Sequence, residues 1–513
     1  AADVLEKVLP NPTAEEYGLM GVANAAAAKD IKKTLAHLGK GPRTLTWLAL
    51  GKSQIRAGQT QAGIQTLASG LPNAKDTETA KTAIDAILAH TPPTQQVTLL
   101  KGLTYKRLSI GGDYVLWKLA EADPTQSQTY YGQLAKDYPQ SDYAPESGWR
   151  PIWPLVTGGD RTSYVSQAQR YLAKYPYARS APKALFWIAK IIEKSSPAEA
   201  TRAYQRILEQ YSGSYYAFRA KGRLKVLSEG KPDPGWPTLG NRHDYPPEAT
   251  DFGHLNILPP ETDFAPGAMG WTLRNQAQEL QSISAAEDVR LLVSESLGSL
   301  PPAVDSWATQ VSGDRAKGLR IMRDALDKQA KGAFLANSGK TVQSSGTPDD
   351  LKLLYPVYFS QDVGPAGRRN QIDPYLIQSL MREESYFNEF AISGSNARGL
   401  MQLLPSTAKD VAGWEGMSHF QTSDLFLPDV NVRLGSRYLA HLHELFSGNS
   451  MPAVGAYNGG PSAMRRWVQA SASFANDPDM FVELIPYEQS RDYIKKVFAS
   501  YWNYTRLYSH PTL

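Results

Sequence analysis

The chain contains no cysteine in 513 residues. That excludes disulfide frameworks, thiolate nucleophiles, cysteine-built zinc sites and lipid attachment through a cysteine, and it makes the chain indifferent to an oxidising compartment. Histidine is scarce, at eight residues, and His441 and His443 stand two apart, so on a helix they face different ways and make poor joint ligands. There is no HExxH pair, no GxxxxGK[ST] phosphate loop and no GxSxG elbow. A Ser-His-Asp set assembled from distant positions stays open. No metal or other cofactor is expected. Apolar runs fall short of the roughly 18 residues of a bilayer span, so no transmembrane segment is expected. The net charge of +4 comes without dense Lys/Arg tracts, and nucleic acid is not an expected partner.

What is present is enough chain for two to four domains at roughly 100 to 200 residues each. The sequence begins Ala1-Ala2-Asp3 without Met, which fits an exported chain after signal-peptide removal; trimming would leave the same start. Residues 1–227 read as amphipathic helices broken by Gly, Pro and Asn, with Thr13-Ala14-Glu15-Glu16 as a capping box. Tyr138, Tyr175 and Tyr211 recur 37 and 36 residues apart in similar turns, each between two helical patterns. That period is close to the roughly 34 residues of a tetratricopeptide-like hairpin, so an α-solenoid is expected, with the tyrosine turns structural. Residues 228–268 form a Pro-rich connector in which Trp236, Tyr245, Phe252 and Phe264 suggest anchoring, 269–349 a helical linker domain, and 350–513 a distinct C-terminal domain. No segment alternates like a sheet strand, and the expected fold class is all-α.

One helix is expected to start at Asp373-Pro374 and run through Glu383-Glu384-Ser385, with Ile377, Leu380, Met381 and Phe387 as its apolar stripe. At about 100° per residue from Leu380, Glu384 falls near +40°, inside that stripe, and Glu383 near −60°. Gln378, Arg382 and Ser385 lie opposite. Glu383 reads as solvated. A carboxyl on a core-facing stripe must be paired, protonated or facing a cleft, and burial raises its pKa toward that of a general acid. The helix alone leaves catalysis and an internal ion pair both open.

Ser393-Gly394-Ser395-Asn396-Ala397-Arg398, Gly399-Leu400-Met401-Gln402, Ala456-Tyr457-Asn458-Gly459-Gly460 and Phe481-Val482-Glu483-Leu484-Ile485-Pro486 with Arg491-Asp492-Tyr493 follow in order. With Glu384-Ser385, these blocks make the C-terminal region resemble the catalytic domain of the soluble lytic transglycosylases, lysozyme-like enzymes that cleave bacterial peptidoglycan. The resemblance covers about residues 350–510 by motif; the helical region before it is similar to the superhelical part of large members in architecture only. It implies a lysozyme-like helical domain and Glu384 as sole catalytic acid/base. Gln402, Tyr457, Asn458, Glu483 and Tyr493 would surround the sugar cleft, with Ser393 and Ser395 near the N-acetyl group. Asn396 stands where Gly is frequent, and Asn tolerates a left-handed turn.

The implied reaction breaks the β-1,4 bond between N-acetylmuramic acid and N-acetylglucosamine and closes a 1,6-anhydromuramyl ring. A muramidase-type hydrolase and a partner-binding scaffold are the competing readings. The implied partners are peptidoglycan glycan strands, with cell-wall proteins as possible contacts of the solenoid, and the implied location is the periplasm or cell envelope. The fragment from about Leu351 to Leu513 is expected to fold alone.

Overall fold

The computed structural model describes residues 31–40, 43–103, 108–230, 261–264, 268–282, 285–297, 299–336, 348–471 and 477–508, besides Leu258 and isolated positions before residue 23. All regular structure among them is helical, apart from two isolated bridges, Ile392 to Arg398 and Arg398 to Leu403. Glu16 of the expected capping box, most of the connector, including Trp236, Tyr245 and Phe252, and residues 337–347 lie outside the described residues. Phe264 is buried at the end of a short helix, Glu261–Phe264. The chain divides into two compact units, Ala1–Ala184 and Leu185–Leu513.

In the first unit, helices Arg43–Arg56 and Thr60–Gly70 pack as a hairpin at glycine-to-backbone distance. A Cβ on Gly51 would meet the Leu67 side chain at 2.6 Å, and one on Gly63 the Gly51 carbonyl at 2.7 Å. Trp47, Leu67, Ile84, Leu100 and Leu116 fill the core from successive helices. The tyrosine turns share one construction. Helices Ser127–Asp137 and Arg161–Lys174 each end on a tyrosine whose N–H donates to the carbonyl four residues back, Tyr138 to Leu134 and Tyr175 to Tyr171. A four-residue turn follows before the next helix, with Ser141 and Ala178 donating back to those tyrosine carbonyls.

Eight helices of the second unit bear on the site: α1 (Ala181–Ile192, which begins just before the division), α2 (Pro197–Gln210), α3 (Tyr215–Glu229), α4 (Pro374–Ser385), α5 (Pro428–Leu445), α6 (Ser450–Gly459), α7 (Pro478–Leu484) and α8 (Glu488–Tyr508). Between α2 and α3, Tyr211 repeats the tyrosine turn, bonded to Ile207. Asp373 caps α4 by accepting from the Tyr375 N–H at 3.0 Å, and Pro374 occupies the first turn, where no N–H is needed. The helix stops when Tyr386 and Phe387 both turn left-handed, so Phe387 is core but not on the helix.

The long helix α8 packs against α4, α6 and α3. The structure departs from the expected amphipathic α4. Gln378, Arg382 and Ser385, expected on a polar outer face, are buried. Each finds a backbone carbonyl from the segments before and after the helix: Gln378 Nε2 donates to Pro356, Arg382 Nε to Leu354, and Ser385 Oγ to Leu400. α4 is an interior helix whose polar residues are paid in hydrogen bonds.

Candidate active site

Glu384 is the penultimate residue of α4, partly buried. Tyr493 of α8 donates its hydroxyl to Glu384 Oε1 at 2.5 Å, and among the described residues no Lys or Arg pairs with this carboxyl. Burial pushes its pKa up to about 7, against the lowering effect of the Tyr493 hydrogen bond; the neighbouring Glu383 charge adds to the rise. The hydroxyls of Tyr493 and Tyr457 are held well above their ordinary range, first by burial and then by the Glu384 charge, so both act as neutral donors.

Glu383 is not solvated. Its side chain is 7% exposed, and Oε1 accepts from Arg382 Nη1 at 2.5 Å and Ser500 Oγ at 2.6 Å. The helical-wheel reading missed this because it assumed water on the face that α8 covers. Arg382 also stacks over the Tyr355 ring, 4.5 Å from its centroid. Adjacent glutamates thus have opposite settings, one ion-paired and one without a cation.

The loop after α4 is built on tight turns. The Asn396 N–H donates to the Ser393 carbonyl at 2.9 Å, Ser393 Oγ accepts from the Ala397 N–H at 3.0 Å, and Asn396 sits at φ +64°. Ser393 is partly exposed and Ser395 exposed. Gly399, at φ +74°, must be glycine: a Cβ would lie 2.1 Å from the Leu425 carbonyl and 2.2 Å from the Asn431 amide. Gln402, also left-handed, is held by its own side chain, whose Nε2 donates to the Ala391 and Gly399 carbonyls at 3.0 and 2.9 Å. Tyr457 of α6 donates to the Met401 carbonyl at 2.9 Å and packs on Tyr438. Asn458 Oδ1 accepts from Ser490 Oγ at 3.1 Å.

Glu384, Tyr493 and Tyr457 are therefore brought together, with Gln402 and Tyr457 fastened to the same loop. Glu483 is turned elsewhere. Its side chain is 2% exposed, Tyr216 of α3 donates to Oε1 at 2.5 Å, and Lys495 donates to Oε2 at 2.8 Å. Two residues support the site: Ser385, read from the sequence only as part of a motif, and Asn431, which escaped the sequence reading. Ser385 ties α4 to the loop through Leu400, and buried Asn431 of α5 accepts from the Met401 N–H while donating to the Arg398 and Leu425 carbonyls. An amide beside Val432 and Leu434 was the available signal for Asn431. Among the described residues no three potential metal ligands converge. His443 is buried in the core, its pKa lowered by burial to about 4, while His441 stacks on Trp414.

Residues 363–480 match the family described as Transglycosylase SLT domain. Glu384, the loop from Ser393 to Gln402 and the Tyr457-Asn458 pair lie inside the matched range; Glu483 and Tyr493 lie just beyond it. A soluble lytic murein transglycosylase of Escherichia coli is 24% identical over 398 residues, which is 76% of this chain and 54% of that protein. One from Salmonella typhimurium is 31% identical over 163 residues, 32% of this chain and 24% of that protein. The chain thus spans about half or less of the length of these relatives. The solved lytic transglycosylase Slt of Pseudomonas aeruginosa aligns over 98% of this chain and 75% of its own, at 19% identity and a TM-score of 0.48. The chain is similar to soluble lytic murein transglycosylases in carrying the SLT domain C-terminal to a long helical region, and no helix among the described residues is long and apolar enough to cross a membrane.

Proposed function

We propose that this protein is a peptidoglycan lytic transglycosylase that cleaves the β-1,4 bond between N-acetylmuramic acid and N-acetylglucosamine and leaves a 1,6-anhydromuramyl end. The setting of Glu384 carries the reading. Just beside it Glu383 and Glu389 each pair with an arginine, and Glu483 on α7 pairs with a lysine, whereas among the described residues Glu384 is hydrogen-bonded only by a tyrosine hydroxyl and is pushed up to about 7 by burial. Such a carboxyl is protonated in a useful fraction at neutral pH and can still act as a base afterwards.

Glycoside cleavage ordinarily employs two carboxylates. Here one suffices if the substrate supplies the rest. Glu384 gives its proton to the glycosidic oxygen as the bond to the muramyl anomeric carbon breaks, and the muramyl N-acetyl oxygen stabilises the developing positive charge. The Glu384 carboxylate then takes the proton of the muramyl 6-hydroxyl, whose oxygen bonds to the anomeric carbon. No water is consumed, and the attack is intramolecular, so positioning lowers much of the barrier. Tyr493 orients the Glu384 carboxyl. Ser393 and Ser395 border the N-acetyl group, and Asn458 faces the sugar. Gln402 and Tyr457 already spend donors on the loop, so they shape the wall of the cleft more than they bind sugar polar groups.

Glycan strands are the proposed partner and the periplasm or cell envelope the proposed location, with the helical region offering a surface to glycan or to cell-wall proteins. Mass spectrometry of a digest of purified peptidoglycan tests the reading. Anhydromuropeptides, one water lighter than hydrolysed products, are expected; reducing ends would assign a muramidase, and no release would favour a scaffold.

A further inference from the structure

Buried polar contacts accumulate where α1 and α3 meet α7 and α8, all within the second unit. Asp479 of α7 is 4% exposed and receives Lys190 Nζ of α1 at 2.6 Å and Nε of Arg219 of α3, itself 1% exposed, at 2.6 Å. Lys190 also reaches Asp477, the N-cap of α7, at 2.5 Å. Tyr216 of α3 and Lys495 of α8 share Glu483 at 2.5 and 2.8 Å. Phe218 stacks on Phe498 at 6.0 Å and meets the edge of Tyr501. Trp502 Nε1 and Asn503 Nδ2 donate to the carbonyls of Ser212 and Gly213 just ahead of α3.

On its other side α8 is keyed to α4 along the whole length of that helix. Tyr493 donates to Glu384 near its C-terminus, Ser500 to Glu383, and Tyr501 to Asp373, the N-cap, at 2.8 Å. Lys495 and Tyr493 are two residues apart, about 200° around a helix, so α8 is held on one side by Glu483 while it presents Tyr493 on the other. A helix clamped between two partners transmits a shift on one face to the other, because packed interiors deform little.

We propose that α1 to α3 belong to the catalytic unit of this protein, and that Tyr216 is a positioning residue for the Glu384–Tyr493 pair, acting through Glu483 and Lys495 on α8. The inference rests on the reading of Glu384 as acid/base. It replaces the expectation of a self-sufficient fragment beginning at Leu351: such a fragment keeps Asp479 but discards Lys190 and Arg219, the two cations that neutralise it, and it leaves Glu483 with Lys495 but without Tyr216. It also gives Glu483 work that needs no sugar.

The test uses the full chain and two matched variants. Tyr216→Phe removes the hydroxyl that Glu483 accepts. Tyr204→Phe removes the same kind of buried donor, from Tyr204 of α2 to Glu193 just after α1, a bond that involves no residue of α7 or α8. The groups facing Glu384 are Tyr493 from α8, Tyr457 from α6, and Glu383, with its partner Arg382, from α4 itself. A looser α8 weakens the Tyr493 hydrogen bond, which favours the carboxylate, so Tyr216→Phe is expected to move the alkaline limb of kcat upward by about half a pH unit. It is also expected to lower kcat about fivefold to tenfold at nearly constant KM. Tyr204→Phe should lower the thermal midpoint and leave both untouched. If Tyr216→Phe does not fold, Lys495→Gln carries the same expectation. The pH dependence of the thermal midpoint, compared with that after adding Glu384→Gln, locates the Glu384 titration without any turnover. It therefore separates failure of this inference from failure of the proposed activity. If Tyr216→Phe or Lys495→Gln loses thermal stability as Tyr204→Phe does, with the Glu384 titration and kcat unmoved, the positioning role is overturned.

Discussion

The tyrosine turns and the surroundings of Glu384 are held by hydrogen bonds of very different reach. Tyr138, Tyr175 and Tyr211 close their helices with bonds to the fourth residue back, whereas Glu384 meets Tyr493 across 109 residues, Glu383 meets Ser500 across 117 and Asp373 meets Tyr501 across 128. Local closure makes a repeat that tolerates neighbours of many kinds. Long closure makes a site, because a carboxyl can be stripped of water and still oriented only where distant elements converge.

Substitutions can sharpen that contrast, and the largest effect is expected at Glu384. Glu384→Gln should lower cleavage about a thousandfold or more, since an amide cannot deliver a proton. It should not cost stability. The folded pKa of this carboxyl is raised, so the native state holds its proton longer than the unfolded chain, and wild-type stability falls as pH rises from about 4.5 to about 7. Glu384→Gln removes that slope, which makes the variant more stable than wild type above neutrality by roughly 3 kcal/mol. Paired melting curves from acid to alkaline pH check it. The same titration sets the wild-type rate, which should decline on an alkaline limb centred near 7 at saturating substrate.

Next in size is Glu383→Gln, which leaves Arg382 buried without its anion and should cost about 3 to 5 kcal/mol. Cleavage per folded molecule should survive in large part. Chemical denaturation with activity normalised to the folded fraction separates the two neighbours. If Glu383→Gln is the variant that folds normally and is inactive, the assignment of roles on α4 is wrong.

In the hairpin region effects should be smaller and confined. Gly51→Ala drives a methyl into Leu67 and should cost about 1 to 3 kcal/mol with unchanged cleavage per folded molecule. The smallest effect belongs to Asn396→Gly, where the left-handed turn loses its local cost and gains chain entropy, for a net change within about 1 kcal/mol in melting experiments.

Reach also decides what the sequence disclosed. The 36- to 37-residue tyrosine spacing, the start of α4 at Asp373-Pro374 and the placement of Glu384 among apolar residues are local facts, and helical periodicity carries them. The left-handed Asn396 is likewise local. Arg382 and Glu383 meet Ser500 of α8, which is more than a hundred residues away, and a helical wheel assigns such residues to water by default. The pairing of Glu483 with Tyr216 spans 267 residues and leaves no periodic trace in either segment. Asn431 was hidden for a related reason: its three bonds go to Met401, Arg398 and Leu425, so its role belongs to a loop of another element.

The central claim is that Glu384 hands its proton to the glycosidic oxygen and then recruits the muramyl 6-hydroxyl in place of water. Digestion of purified peptidoglycan in heavy-oxygen water, followed by mass spectrometry, reads the origin of the oxygen at each new muramyl end. The account predicts anhydromuramyl products free of the label with wild-type protein and essentially none with Glu384→Gln. Labelled reducing ends from the wild type, or anhydro products undiminished in Glu384→Gln, would contradict it.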